Sequence, residues 1–209
     1  MNQFVQYGCG LCAPEGWRNF DVSPSLRLQR LPIFGAFIKR LDRFPNWPNN
    51  VEYGDIVKGL PIDAQSCQAV YCSHVLEHLA LSEFRLALRN SHTYLHVGGI
   101  FRFVIPDLRR ITSEYLSSTN PEAAFLFMKY SGLGVDGRPR GFRKIGAAIY
   151  GHQEHLWMWD YESIQEELSN AGFSDIRRAK FGDSIEKRIT EVEDEDRWKG
   201  ELGVECKRG

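Results

Sequence analysis

Gln3-Phe4-Val5-Gln6-Tyr7 runs without helical spacing straight into Gly8-Cys9-Gly10, and this junction restricts the chain more than any other stretch. Aromatic and β-branched residues that stop at a glycine read as a buried strand. Glycines at 8 and 10 let the backbone turn sharply and approach a ligand that side chains would hold off. A second apolar run, Trp17 to Val22, carries Asp21 near its end. In doubly wound nucleotide-binding sheets an acidic residue at that place accepts hydrogen bonds from ribose hydroxyls. The residues between these strands are too few for the usual crossover helix, so the first crossover is expected to be abbreviated.

The same grammar repeats along the chain. Leu28, Leu31, Phe34, Phe37, Ile38 and Leu41 have mostly helical spacing, broken by Pro32 and Gly35. Val51-Glu52-Tyr53 reads as a third strand closing on Gly54-Asp55-Ile56, and Cys67 to Cys72 as a fourth leading into Ser73-His74-Val75-Leu76-Glu77-His78. A helix is expected from an N-cap at Ser82 to about His96, stopped by Gly98-Gly99. Ile100 to Ile105 is a fifth strand ended by Pro106-Asp107, with helices from Leu108 to about Leu116 and from Pro121 to Tyr130. Asp160 caps a helix bearing Tyr161, Ile164 and Leu168 on one face. Phe173 to Phe181 is a sixth strand, and Leu202 to Cys206 a seventh, after a charged stretch from Asp183 to Lys199. That stretch is too polar for a covering crossover helix, so the last strand should enter antiparallel. The expectation is an α/β, Rossmann-like, doubly wound seven-stranded sheet, mostly parallel. Residues 1–209 form one domain in this reading, with a cap-like helical and loop insertion at about 120–158. The insertion holds Gly132, Gly134, Gly137, Gly141 and Gly146 among Arg138, Arg140, Arg143 and Lys144. A glycine-rich loop of that length is either disordered or functional.

Composition removes several classes of function. With 26 Lys+Arg against 27 Asp+Glu there is no global field to attract nucleic acid or an anionic membrane. No apolar run approaches the length of a membrane span, and the N-terminus lacks a signal-peptide pattern, so a cytoplasmic protein is expected. Five cysteines fit free thiols better than a disulfide framework. Cys9 and Cys12 form a CxxC, but no second CxxC follows to complete a zinc site, and the cysteines read as small buried hydrophobes.

Taken together, the GCG loop, "NFDVSPS", "YGDI", "VYCSHVLEHL" and "GGIFRFVIPDL" resemble the class I S-adenosylmethionine-dependent methyltransferases, in particular small type 11-like members. The resemblance covers about residues 3–108 and returns at "GHQEHLWMWDYESIQEELSNAGF". It implies S-adenosylmethionine as cofactor, with Gly8, Cys9 and Gly10 around its methionine part. Asp21, beside Val22, would hold the ribose, and Asp55 with Ile56, beside Gly54, would meet the adenine. Ser73 and His74 would border the transferable methyl, with His78 at the same edge. The sequence departs from the family where Leu11-Cys12-Ala13-Pro14 replaces a third glycine and a full helix. The helices that often lid this fold from the N-terminus are also missing, and the 120–158 insertion is their natural replacement.

A sulfonium methyl is already activated, so such an enzyme mainly aligns a nucleophile and excludes water. An oxygen acceptor benefits from a base, for which His155, His74, His152 and Asp107 are candidates. Trp157 and Trp159 offer a platform for a saccharide or planar acceptor, or else belong to the core. Arg138, Arg140, Arg143 and Lys144 offer a grip on an acidic acceptor, or else are solvated loop charge. The expected acceptor is a small molecule or a saccharide or glycoconjugate precursor, with no resident metal and no nucleic-acid partner. Two alternatives use the same residues. His74, Glu77 and His78 fit HxxEH, in which two histidines one helical turn apart bind zinc beside a glutamate base, with Glu154 or another carboxylate as third ligand. The chain would otherwise be an S-adenosylmethionine-binding module without catalysis.

Overall fold

In chain order the strands are β1 (Gln3–Tyr7), β2 (Arg18–Asp21), β3 (Val51–Tyr53), β4 (Cys67–Ser73), β5 (Leu95–Ile105), β6 (Phe173–Ala179) and β7 (Leu202–Arg208). The structure is a computed structural model that describes residues 3–31, 45–135 and 154–209. It lays the strands in one seven-stranded sheet of order β3-β2-β1-β4-β5-β7-β6. The first five strands are parallel, and β7 enters antiparallel between β5 and β6, as expected. The order reverses between β1 and β4, because the chain runs outward through β2 and β3 and then returns to the other side of β1. In open α/β sheets ligands bind outside the carboxyl ends of the strands at such a reversal.

Alternate residues of the central strands feed two cores, as a period of two requires. Val5, Tyr7, Val70, Cys72, Phe101 and Phe103 pack on one face under helices α2 (Leu81–Tyr94) and α5 (Tyr161–Asn170), which contribute Phe84, Leu88, Ile164 and Leu168. Phe4, Ala69, Tyr71, Ile100 and Val104 pack on the other. No α-helix covers this second face among the described residues. The β6–β7 connection covers it instead, through two 3-10 turns, Lys187–Glu191 and Glu195–Arg197, that bury Ile189, Val192 and Trp198 on the sheet. The first crossover is indeed abbreviated, so the covering mass has to come from elsewhere in the chain.

Arg102, in the middle of β5 and fully buried, fastens this cover. Its Nε donates to Glu193 at 2.7 Å, and Nη1 donates to Asp183 at 2.9 Å and Glu205 at 3.1 Å. Nη2 donates to the Lys180 carbonyl at 2.6 Å, and the guanidinium lies over the Trp198 ring. The indole fits because residue 203 of β7 is glycine; a Cβ there would lie 2.1 Å from the Trp198 ring.

The remaining helices are α1 (Pro24–Gln29), α3 (Leu108–Ser117) and α4 (Ala123–Tyr130). Two expected boundaries are corrected. Helix α2 has Ala80 rather than Ser82 as its N-cap, with the Glu83 carboxylate accepting from the Ala80 N–H at 3.1 Å. It ends at Tyr94 and passes directly into β5, so Gly98 and Gly99 lie inside the strand, next to a register shift against β4. A Cβ on Gly99 would stand 3.0 Å from the Cys67 carbonyl oxygen, so this glycine serves strand contact rather than helix termination. The expected apolar positions at Phe34, Phe37, Ile38 and Leu41 lie outside the described residues. Among the described residues no helix is long and apolar enough to cross a membrane.

Candidate functional site

β1 ends in a turn with left-handed backbone at Gly8 (φ +64°) and Gly10 (φ +55°). The turn is tied down from both sides. The Cys9 N–H donates to the Phe20 carbonyl at 3.1 Å, and the Gly10 N–H donates to Asp21 Oδ2 at 3.0 Å. Asp21 Oδ1 accepts from the Ser23 N–H at 2.8 Å, so this buried carboxylate clamps the loop to the end of β2. The two glycines differ in surroundings. A Cβ on Gly8 would meet Val75 Cγ2 at 2.2 Å, whereas a Cβ on Gly10 would have nothing within 4 Å.

The open side of Gly10 belongs to a cleft of about 280 Å³. The loop from Gly8 to Cys12 forms one wall, Tyr71 and Ser73 of β4 the floor, and Val192, Asp194 and Arg197 the opposite wall. Arg197 Nε donates to Ser73 Oγ at 2.7 Å and Nη2 to the Ser73 carbonyl at 2.8 Å. Gln6 steadies the floor by donating to Asn19 Oδ1 at 2.6 Å and to the Cys12 carbonyl at 2.8 Å. Cys9 is buried beside Asp21, and burial first, with that carboxylate second, pushes its thiol up to about 12. It is no thiolate nucleophile at neutral pH, and all five cysteines are unpaired.

Of the expected cofactor residues, Gly8, Cys9, Gly10 and Ser73 are brought together around this cleft. Asp21 stands behind the loop and acts on it through Gly10. Val22, Gly54, Asp55 and Ile56 do not line the cleft. Asp55 is spent on its own turn, with Oδ1 accepting from the Val57 N–H at 3.0 Å and Oδ2 pairing with Lys58 at 3.0 Å. Val192, Asp194 and Arg197 were not anticipated, because their segment reads as a solvated charge run.

The expected catalytic residues occupy other posts. His74, left-handed at φ +51°, has Nδ1 3.1 Å from Glu77 Oε1 and Nε2 3.0 Å from the Arg197 carbonyl. Both partners are acceptors, so both ring nitrogens are committed. Burial alone would lower this imidazole, but the hydrogen bond to Glu77 and its charge outweigh it, and the net shift is upward. A base needs a free lone pair, and in this arrangement His74 braces Glu77 against the Arg197 carbonyl. Asp107 caps α3, accepting from the Arg109 and Arg110 N–H groups, and stands 3.7 Å from Arg178. Its carboxylate thus holds the first turn of α3.

His155 donates through Nδ1 to the Ser131 carbonyl, 2.7 Å away, and burial holds it below the ordinary imidazole value. Its ring lies edge-on to His78 at 5.0 Å, over Gly132, where a Cβ would collide with it. His155 is not among the residues that line the cleft. His78 is not either, and has Nδ1 3.1 Å from the Glu154 carbonyl. Trp159 is core, its ring tilted against Phe84 with centroids 4.3 Å apart, while Trp157 is 42% exposed. His152, Arg138, Arg140, Arg143 and Lys144, with residues 136–153 of the expected cap, lie outside the described residues. The HxxEH arrangement is not formed: His74 precedes a three-residue 3-10 turn, Leu76–His78, instead of sharing a helix face with His78.

No protein-family model and no curated protein matches the sequence. Solved structures do match in fold. A SAM-dependent methyltransferase from Thermotoga maritima, described as a possible histamine N-methyltransferase, aligns over 100% of this chain and 83% of its own at 15% identity and a TM-score of 0.51. The S-adenosylmethionine-dependent methyltransferase SibL in its apo form aligns over 99% of this chain at 16% identity and a TM-score of 0.52. The CMeT domain of the citrinin polyketide synthase aligns over 100% at 13% identity and 0.51. The chain spans about half the length of these last two, 50% and 46%. At such identities the likeness establishes the fold, a seven-stranded methyltransferase-type sheet.

Proposed function

We propose that this chain, built on the sheet of the S-adenosylmethionine-dependent methyltransferases, binds S-adenosylmethionine beside Gly10 and methylates a small-molecule acceptor. The observation that carries the reading is the cradle itself. Gly10 has left-handed backbone, is pinned by Asp21, and keeps open the space a side chain would fill, at the carboxyl end of β1 where the strand order reverses. Arg197 is the natural partner for the ligand's carboxylate, since its Nε and Nη2 are fixed on Ser73 and Nη1 makes no hydrogen bond among the described residues. Ser73 and the loop walls then orient the ligand and displace water from it.

Bound S-adenosylmethionine supplies an activated methyl group, so alignment accounts for most of the catalysis and no side-chain base is obligatory. We assign none, since His74 and Asp107 are committed and His155 does not line the cleft. The exposed Trp157, although outside the lining of the cleft, offers a flat apolar face of the kind a saccharide or planar acceptor would use.

Calorimetry with S-adenosylmethionine and its demethylated product tests the reading. The wild type should bind both, and Gly10→Val should weaken binding at least ~100-fold while the protein stays folded, because the new side chain occupies the ligand's space. Equal binding by the variant would move the ligand elsewhere. Tight binding with no turnover over a broad acceptor screen would favour the non-catalytic module.

A further inference from the structure

Outside the cleft, Glu77, His78 and His155 converge. One ligand-type atom from each lies within 4.8 Å of the others. They come from separate parts of the chain, the turn after β4 and the segment before α5, so the meeting is made by tertiary folding.

Three details distinguish this group from a chance cluster. Glu77 is 1% exposed, yet its Oε2 has no hydrogen-bond partner among the described residues. An unpaired buried carboxylate oxygen is costly, and each such group in a native fold calls for an explanation. Both imidazoles are engaged through Nδ1 to backbone carbonyls, His78 to Glu154 at 3.1 Å and His155 to Ser131 at 2.7 Å. A carbonyl cannot donate, so each Nδ1 carries a proton, and in the neutral ring that leaves the lone pair on Nε2. Donation of the second ring N–H to a carbonyl is the arrangement that fixes metal-binding histidines. Finally, Glu77 Oε1, 4.0 Å from His78 Nε2, is itself oriented by His74 at 3.1 Å, which supplies the outer hydrogen bond that ligating carboxylates usually have.

We propose that Glu77, His78 and His155 form a site for a divalent first-row transition ion, of which zinc is the probe of choice. Two imidazoles and one carboxylate suit zinc, iron(II), cobalt(II) or manganese(II), and disfavour magnesium and calcium, which take oxygen ligands. Tetrahedral zinc at ordinary bond lengths separates its ligand atoms by about 3.3 Å, so the three side chains close in by roughly 1.5 Å on binding. Three protein ligands leave a coordination position open to water or to an acceptor oxygen. His74 links this site to the cleft, since it touches both Glu77 and the carbonyl of Arg197. The site differs from HxxEH: His74 is the outer brace and His155 takes its place as ligand. The proposal is independent of the methyl-transfer reading, because its test reads the ion alone.

The test uses the full chain, stripped with chelator and exchanged into metal-free buffer. Calorimetric titration with Zn2+ should show one equivalent bound, weakened at least ~100-fold in His78→Ala and His155→Ala and unchanged in Cys12→Ser, which removes the exposed thiol. Mg2+ should not compete. Co2+ added to the wild type should give a visible d–d spectrum of low-coordinate nitrogen and oxygen ligation without thiolate charge transfer, and this reading does not depend on any variant folding. No stoichiometric Zn2+ binding, a thiolate band with Co2+, or full affinity in folded His155→Ala would each overturn the assignment.

Discussion

Gly8 and Gly10 share a left-handed backbone but not a purpose, and substitution separates them. Alanine at 8 meets Val75 at 2.2 Å as well as the strain of its φ, whereas alanine at 10 meets only the strain. Gly10→Ala should therefore cost about 1–2 kcal/mol in urea unfolding, and Gly8→Ala clearly more. Equal losses would mean that Val75 moves aside freely. Asp21→Ala belongs with these two. It leaves the Gly10 and Ser23 N–H groups without their acceptor, so a loss of about 1–3 kcal/mol of stability should accompany any loss of ligand affinity. The residues of the loop were legible in the sequence because a strand that ends in glycine declares its turn locally. The posts taken by His74, Asp107 and Asp21 were not. Strand ends are also where helices begin and loops are pinned, so a polar residue there has several posts open to it, some set by its neighbours and some by chain far away in sequence. His74 needed Arg197 to be placed, and Asp107 needed the first turn of α3.

The strands and most helices were legible for the reason the loop was: apolar runs bounded by glycine, proline or an N-cap aspartate. The β6–β7 connection was not, because the three apolar side chains it buries, Ile189, Val192 and Trp198, are scattered through a run of mostly exposed charges. One signal pointed to it. Arg102 stands in the apolar run Ile100–Ile105, and a buried guanidinium demands acidic partners, which Asp183, Glu193 and Glu205 supply. Removing the cation strands those carboxylates. Arg102→Leu should destabilise the protein by about 3–5 kcal/mol, the range for breaking a buried pair from one side. Because the connection also provides Val192, Asp194 and Arg197, affinity for S-adenosylmethionine should fall in conditions where the variant is still folded. A stability loss with ligand affinity intact would show that the wall keeps its shape without this anchor.

For the molecule as a whole the same network sets the acid limit. Burial would raise Asp183, but Arg177 and Arg102 outweigh it and hold the carboxyl at about 2. A folded value below the unfolded one gives stability that is complete above the ordinary aspartate range, near 4, and disappears as pH falls toward 2. Glu193 acts in the opposite sense, since burial raises it above its ordinary value and its ionisation weakens the fold as pH rises through that range. Melting temperature should drop between pH 4 and 2, and Asp183→Asn should flatten that limb; an unchanged slope would assign acid sensitivity to other carboxylates. The seven-stranded plan with its antiparallel entrant was legible because alternating elements and a short first crossover leave few topologies. The cover on the second face has a further consequence for biosynthesis. The ligand loop follows β1, while the wall facing it lies between β6 and β7 and is synthesised after the five parallel strands. A nascent chain carrying β1 to β5 presents a bare apolar sheet face and half a binding site. Competence to hold the ligand thus arrives only after β6, its connection and β7 have been made, when Arg102 meets its acidic partners.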